Sequence, residues 1–244
     1  MSHYGGRIRS LTGIILYLTL ITSITTLGEA DSASSATRAR GDQIVQRMME
    51  SNEKRARALQ HYTEHRHYQV EYSGFPSKIA ATMEVEATYD APSSKSFRIL
   101  SQTGSKLLTD HVLKRLLESE REAARDPGQN ALTPENYTFT LVGNEVIAGQ
   151  KLFLFQVEPR VNRKFLYRGR VWVDANDYAV VTIEAEPANN PSLWIKRTEI
   201  RHTYSKTGEF WLPERNRSES TVRGGGTAIL TIDYGAYQIQ VAHS

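Results

Sequence analysis

The amino-acid sequence predicts a mainly β, α+β fold: a curved antiparallel sheet or half-open β-barrel of about ten strands, with two amphipathic helices covering its concave side. Three observations carry that reading. Apolar and polar residues alternate with period two in segment after segment from Tyr62 to Val241. Short clusters of Gly, Pro, Asn and Asp separate those segments. The two stretches with helical periodicity do not recur between strands as a βαβ rhythm requires.

The chain opens with Arg7 and Arg9, then an uncharged, largely apolar run from Leu11 to Leu27, then the small residues Gly28 and Ala30. That order is the layout of a secretory signal peptide, expected over residues 1–30. Uncleaved, it would be a membrane anchor, because the run falls just short of the ~20 residues of a spanning helix. Either outcome implies export, and the expected location is the periplasm. Residues 31–41 are small, polar and basic, and read as a flexible lead-in. Residues 42–244 are expected to form a single β domain. The chain has no cysteine, so this domain must rest on its own core. A net charge of +3 is too weak for a nucleic-acid partner.

From Asp42, a plausible helix cap, Ile44, Val45, Met48, Met49, Ala56 and Leu59 recur at helical spacing and predict a first helix to about Leu59. The period then changes to two. Tyr62 to Tyr72 and Ile79 to Tyr89 are strands joined by the turn Ser73-Gly74-Phe75-Pro76, and a shorter strand carries Phe97 and Ile99. Short connections make these three antiparallel neighbours. Leu107, Leu108, Val112, Leu113, Leu116 and Leu117 then form the stripe of a second helix, which stops at Asp126-Pro127-Gly128. Seven further strands follow, with turns expected at Gly143-Asn144, Asp174 to Asp177, Pro187 to Pro191 and Lys206 to Gly208.

The strand Phe165-Leu-Tyr-Arg-Gly-Arg-Val-Trp-Val-Asp174, the strand Tyr178 to Glu184, and Gly208-Glu-Phe-Trp-Leu-Pro213 succeed one another in a meander. From Asp42 to the last strand, this succession resembles the periplasmic lipoprotein-carrier fold of LolA- and LolB-like proteins and of RseB-like envelope-stress sensors. The resemblance implies a half-open barrel that binds acyl chains. It also implies, in the carriers, an arginine inside the cavity, which the motifs do not assign to a position in this chain.

Constellations for other chemistry are weak. His61, His65 and His67 share a strand face, yet ~6.5 Å steps along a strand suit two metal ligands better than three. Glu118, Glu120 and Glu122 lie two apart on a helix and point in different directions. There is no Gly-x-Ser-x-Gly, phosphate loop or His-Glu-x-x-His motif, so no enzyme, cofactor or metal is expected.

The expected function is that of a periplasmic carrier or binding protein for a lipid or a lipoprotein acyl chain. Its apolar cavity would be lined by Met48, Met83, Val85, Phe97, Ile99, Val112, Leu116, Phe153, Phe155 and Trp172. Between Arg160 and Arg170 there is no acid, and Arg168 and Arg170 are candidate head-group contacts in transient membrane encounters; the alternative for them is a solvated face. Partners would be a lipid or acylated protein, with an envelope protein as receiver. The alternatives are a sensor domain of the same fold and an outer-membrane β-barrel.

Overall fold

The computed structural model describes residues 26–75, 77–189 and 192–241. The chain divides into two compact units, Met1–Thr37 and Arg38–Ser244; the second carries the sheet. Of the expected export segment, residues 1–25 lie outside the described residues. Helix α1 (Thr26–Ala58) begins well before Asp42, so the segment expected as a flexible lead-in is helical. The reason is local: residues 31–40 contain Ala and Arg, which favour a helix, and no proline or glycine. No helix among the described residues is long and apolar enough to cross a membrane.

Eleven antiparallel strands form one sheet: β1 (Leu59–Ser73), β2 (Ile79–Asp90), β3 (Ser94–Gly104), β4 (Tyr137–Ile147), β5 (Gln150–Pro159), β6 (Tyr167–Asp174), β7 (Val180–Pro187), β8 (Ile195–Thr207), β9 (Phe210–Val222), β10 (Thr227–Tyr234) and β11 (Gln238–Val241). Their order is β3-β2-β1-β10-β9-β8-β7-β6-β5-β4. The expected last strand is split at Gly235 to Tyr237: β10 pairs with the second half of β1 and β11 with the first. Strands β3 and β4 form the two edges of the sheet. The chain between them is α2 (Lys106–Leu108), a π turn (Thr109–Leu113) and α3 (Lys114–Arg125), the long second helix of the sequence pattern.

The turn expected at Gly143-Asn144 lies inside β4, where the register shifts between Leu141 and Gly143. A bulge absorbs the extra residue, and glycine tolerates the local bend. The chain reverses at Ala148-Gly149 instead, where both residues have positive φ (50° and 82°), the backbone of a two-residue type I′ hairpin.

One sheet face carries the helices, and their packing makes two separate cores. Ile44, Val45 and Met48 of α1 meet Phe155, Val157, Val171, Val173 and Ile183 from β5 to β7. The approach is close enough that a Cβ on Gly41 would stand 3.3 Å from Leu141 Cβ. Leu108, Leu113 and Leu117 of the second helix cover Tyr68, Val70, Met83, Val85 and Ile232 from β1, β2 and β10. Between them the helix-side positions of β8 and β9 turn polar, with His202 paired to Asn216 and Ile200 to Ser218. The uncovered face is laddered with ion pairs, among them Arg170–Glu184 at 2.6 Å and Arg201–Glu184 at 2.7 Å.

Candidate functional site

A cavity of about 320 Å³ opens between the C-terminal half of α1, the loop after α3 and the helix-side face of β6 to β9. Leu132, Ala179, Val180, Ile183, Tyr167, Tyr204 and Trp211 supply apolar and aromatic wall, while Asn52, Arg55, Asn130 and His202 supply polar groups. The volume sits at the lower end of the ~300–1,000 Å³ of small-ligand sites. Turn geometry fixes one wall. Asp174 Oδ1 accepts from the backbone N–H groups of Asn176 (2.9 Å) and Asp177 (2.6 Å), and Tyr178 takes φ 52° to close the turn into β7. Trp211 Nε1 donates to Asp177 Oδ2 at 2.9 Å, and Arg47 donates to the Tyr178 hydroxyl at 2.7 Å.

Arg55 spends its donors on uncharged acceptors: Asp177 O at 3.0 Å, Tyr178 O at 3.4 Å and Asn52 Oδ1 at 2.7 Å. Burial lowers its pKa, with Asp177 opposing. Burial also pushes the His202 imidazole down to about 4 against the pull of Glu120, so it is neutral at neutral pH. Burial raises the Tyr204 phenol to about 12 and raises Tyr167 as well. The wall therefore offers one guanidinium, neutral donors and acceptors, and flat apolar rings. That set can hold a ligand with an apolar body and a polar or anionic end.

Beside this cavity lies a buried charge network. Arg66, 1 % exposed, donates from Nε (2.9 Å) and Nη2 (2.6 Å) to Glu64 Oε1, and from Nη1 to Glu120 Oε2 (2.7 Å) and Tyr68 Oη (3.1 Å). Its guanidinium stacks over Tyr234 at 4.7 Å and Phe97 at 5.4 Å. Lys95 Nζ completes the set, 3.2 Å from Glu120 Oε2. Burial works against the charge on Arg66, but Glu120, Tyr68, Tyr234 and Glu64 together raise its pKa. For Glu120 burial is likewise overcome, by Lys95 and Arg66, and its carboxyl titrates below the usual range. Glu64 goes the other way: burial raises it despite Arg66. Its Oε2 has no partner in hydrogen-bond geometry; the Tyr237 hydroxyl, which acts to lower the Glu64 pKa, donates to Pro213 O at 2.8 Å.

The residues named from the sequence are distributed over this frame. Met48, Phe153 and Phe155 belong to the core under α1. Met83, Val85, Phe97, Val112 and Leu116 belong to the core under α2 and α3. Trp172 packs with Leu152 and Leu154 on the opposite sheet face, because it is one residue out of phase with Val171 and Val173; Ile99 is 40 % exposed on edge strand β3. None of the ten lines the cavity described above. Arg168 and Arg170 lie on the uncovered face beside Glu158 (3.6 Å) and Glu184 (2.6 Å). His61, His65 and His67 each face a carboxylate of β2: Asp90, Glu86 and Glu84. Glu120, which the sequence offered only as one of three helix carboxylates pointing in different directions, joins Arg66 and Lys95 in this network.

No family profile matches the chain, and no curated protein matches it. Among solved structures it is similar to a DUF1329 family protein from Desulfovibrio piger, at 10 % identity over 84 % of this chain and 95 % of that one, with a TM-score of 0.46. A LolA superfamily protein from Nitrosomonas europaea aligns at 10 % identity over 83 % and 94 %, with a TM-score of 0.37. The complex of Pseudomonas aeruginosa MucA and MucB aligns at 11 % over 83 % and 100 %, with a TM-score of 0.27. Every one of these scores is below 0.5, so what this chain binds has to be argued from its own residues.

Proposed function

We propose that this chain is a cell-envelope binding or carrier protein that takes an acyl chain, or a similarly apolar group with a polar end, into the cavity between α1 and β6 to β9. The observation that supports this most is the composition of the wall: Leu132, Val180, Ile183 and three aromatic rings, together with Arg55 and neutral His202. Each CH₂ moved from water onto such a surface contributes ~0.8 kcal/mol, and Arg55 suits a carboxylate or phosphate end. The arrangement favours binding over catalysis, since Arg55 and His202 stand without an activated nucleophile. The expected signal peptide with Arg7 and Arg9 ahead of its apolar run supports an envelope location.

A membrane barrel fits poorly. Its outer surface must be apolar at bilayer depth, whereas the uncovered face here carries Arg170, Glu184, Arg201 and Glu219, and β3 and β4 leave two edges.

Native mass spectrometry of protein purified from its own envelope tests the proposal. A co-purifying amphiphile, displaced by a long-chain fluorescent fatty acid, is the expected result. A ligand-free protein that fails to bind the fatty acid would overturn it.

A further inference from the structure

The antiparallel order places the described residues of six chain segments along one rim of the sheet: the β1–β2 turn (74–78), the β3–α2 junction (104–107), the β5–β6 loop (160–166), the β7–β8 connection (188–196), the β9–β10 turn (223–226) and the entry to β4 (133–136), which Arg160 N joins at Asn136 O. Backbone and side-chain bonds stitch them together. Ser105 N donates to Ala80 O, Tyr72 Oη to Gly225 O, Arg223 N to Trp194 O, Ala188 N to Leu166 O and Asn189 Nδ2 to Arg163 O.

Two properties coincide there. The first five segments hold no Asp or Glu and together carry Lys78, Lys106, Arg160, Arg163, Lys164, Lys196 and Arg223, in a chain whose whole net charge is +3; the β4 entry adds one acid, Glu135, close to Arg160. Glu122 of α3 pairs with Lys164, Arg160 donates to Pro134 O and Arg163 to Asn136 Oδ1; among the described residues Lys78, Lys106, Lys196 and Arg223 form no ion pair. Of the five most exposed large apolar side chains among the described residues, the rim carries four: Leu193 is 91 % exposed, Phe75 88 %, Trp194 73 % and Leu107 60 %; the fifth, Val146, is on β4. The turns at the other rim carry acids instead, at Asp90, Asp177 and Glu209.

We propose that this rim docks on an anionic lipid surface, with Phe75, Leu193 and Trp194 entering the head-group layer and the surrounding Lys and Arg held over anionic phosphates. Stable attachment to a bilayer takes two weak signals acting together, an apolar insertion and a basic patch, and both are here on one edge. Tryptophan is suited to the head-group depth. The attraction of the cations reaches about 8 Å at physiological salt, so all must come to the surface together, as a single rim allows. Single-stranded nucleic acid, the other polyanion, would need bases stacked on rings along a cationic track; the aliphatic Leu193 at the most exposed point favours lipid. The proposal is independent of the cavity, since none of these residues lines it.

The test is sedimentation with vesicles of phosphatidylcholine alone and of phosphatidylcholine mixed with an equal amount of phosphatidylglycerol. The protein is expected to bind the mixed vesicles at least tenfold better and to lose that preference in high salt. Leu193→Ser with Trp194→Ser should weaken binding at least tenfold, and Lys78→Glu with Arg223→Glu should abolish the anionic preference. All four side chains point to solvent, and the Arg223 N–Trp194 O bond is between backbone groups, so thermal melts should not move; if one pair does lower the melt, Phe75→Ser replaces it. Trp194 emission should be quenched by bromine-labelled acyl chains, with Trp194→Phe removing that quenching. Equal binding to both vesicles, binding untouched by the Leu193 and Trp194 changes, unquenched Trp194, or capture of single-stranded nucleic acid without vesicles would each overturn the proposal. Uptake of a soluble fatty-acid probe by the rim variants separates failure here from failure of the cavity reading.

Discussion

Arg66 on β1 and Glu120 on α3 are joined by a 2.7 Å hydrogen bond under the second helix, and this bond fastens that helix to the third strand from the β3 edge. Glu64, Lys95 and Glu120 all depend on the same guanidinium or on one another. Arg66→Met should therefore cost about 3–5 kcal/mol, because it leaves Glu64 buried without its cation and Glu120 with Lys95 alone. Glu64→Gln should cost far less, since Glu64 Oε2 already lacks a donor. Urea unfolding of both variants checks the order; a loss below about 1 kcal/mol for Arg66→Met would show that the network does not hold α3.

The apolar stripe of the second helix gives a graded expectation. Leu113 is fully buried and Leu116 partly so. Leu113→Asp should cost several kcal/mol and Leu116→Asp less, as the second carboxylate can reach water. Equal melting temperatures for the two variants would place the helix in another rotation.

Strand and helix placement was largely legible because the burial period survives in the sequence: β1 and β2 run within a few residues of their expected bounds. The buried network was legible in principle from the same alternation. Glu64 and Arg66 share parity with Tyr62, Tyr68 and Val70, so on a strand with those residues inside, the two charges must be inside as well. What parity on one strand cannot supply is the partner, because Glu120 comes from a helix 54 positions away. The cavity was not legible for a similar reason. Its wall joins residues of α1, the loop after α3 and four strands, and the large apolar residues that signal a pocket in a sequence are consumed here by close packing in two cores.

His202 makes stability depend on pH in a definite direction. Folded, its imidazole is held down to about 4; unfolded, it titrates near 6.5. Between those values the unfolded chain binds the extra proton, so stability falls as pH drops from 6.5 toward 4, by at most on the order of 3 kcal/mol. Glu64, whose carboxyl is raised in the fold, contributes the opposite slope, and Glu120, held below the usual range, loses its contribution at lower pH still. The difference between wild type and His202→Gln isolates the histidine: unfolding curves measured across this window should converge at acid pH. Parallel curves would mean that His202 titrates alike in the folded and unfolded chain.

Ala148 occupies a left-handed conformation, φ 50°, in the β4–β5 hairpin, where an L residue with a Cβ is strained. Ala148→Gly should raise stability by about 0.5–1 kcal/mol, and Ala148→Asn should come close to it, since both suit the first position of a type I′ turn. A lower melting temperature for both would contradict the assigned turn.

The cavity and the packed core can be told apart by two bulky substitutions. Ala87 is fully buried, paired with Glu64 and Phe97 across its two neighbouring strands, so its small size serves close packing. Ala87→Trp should therefore destabilise the fold by several kcal/mol through overpacking. Val180 is part-buried and faces the cavity, so Val180→Trp has open volume to occupy. This variant should keep the wild-type melt within a few degrees and lose affinity for a long-chain fluorescent fatty acid at least tenfold. Arg55→Gln should weaken a fatty acid more than the corresponding alcohol, because the guanidinium acts on the carboxylate. A folded Val180→Trp protein that binds the probe as wild type does would place the ligand elsewhere on the chain, and equal effects of Arg55→Gln on acid and alcohol would remove that arginine from the head-group role.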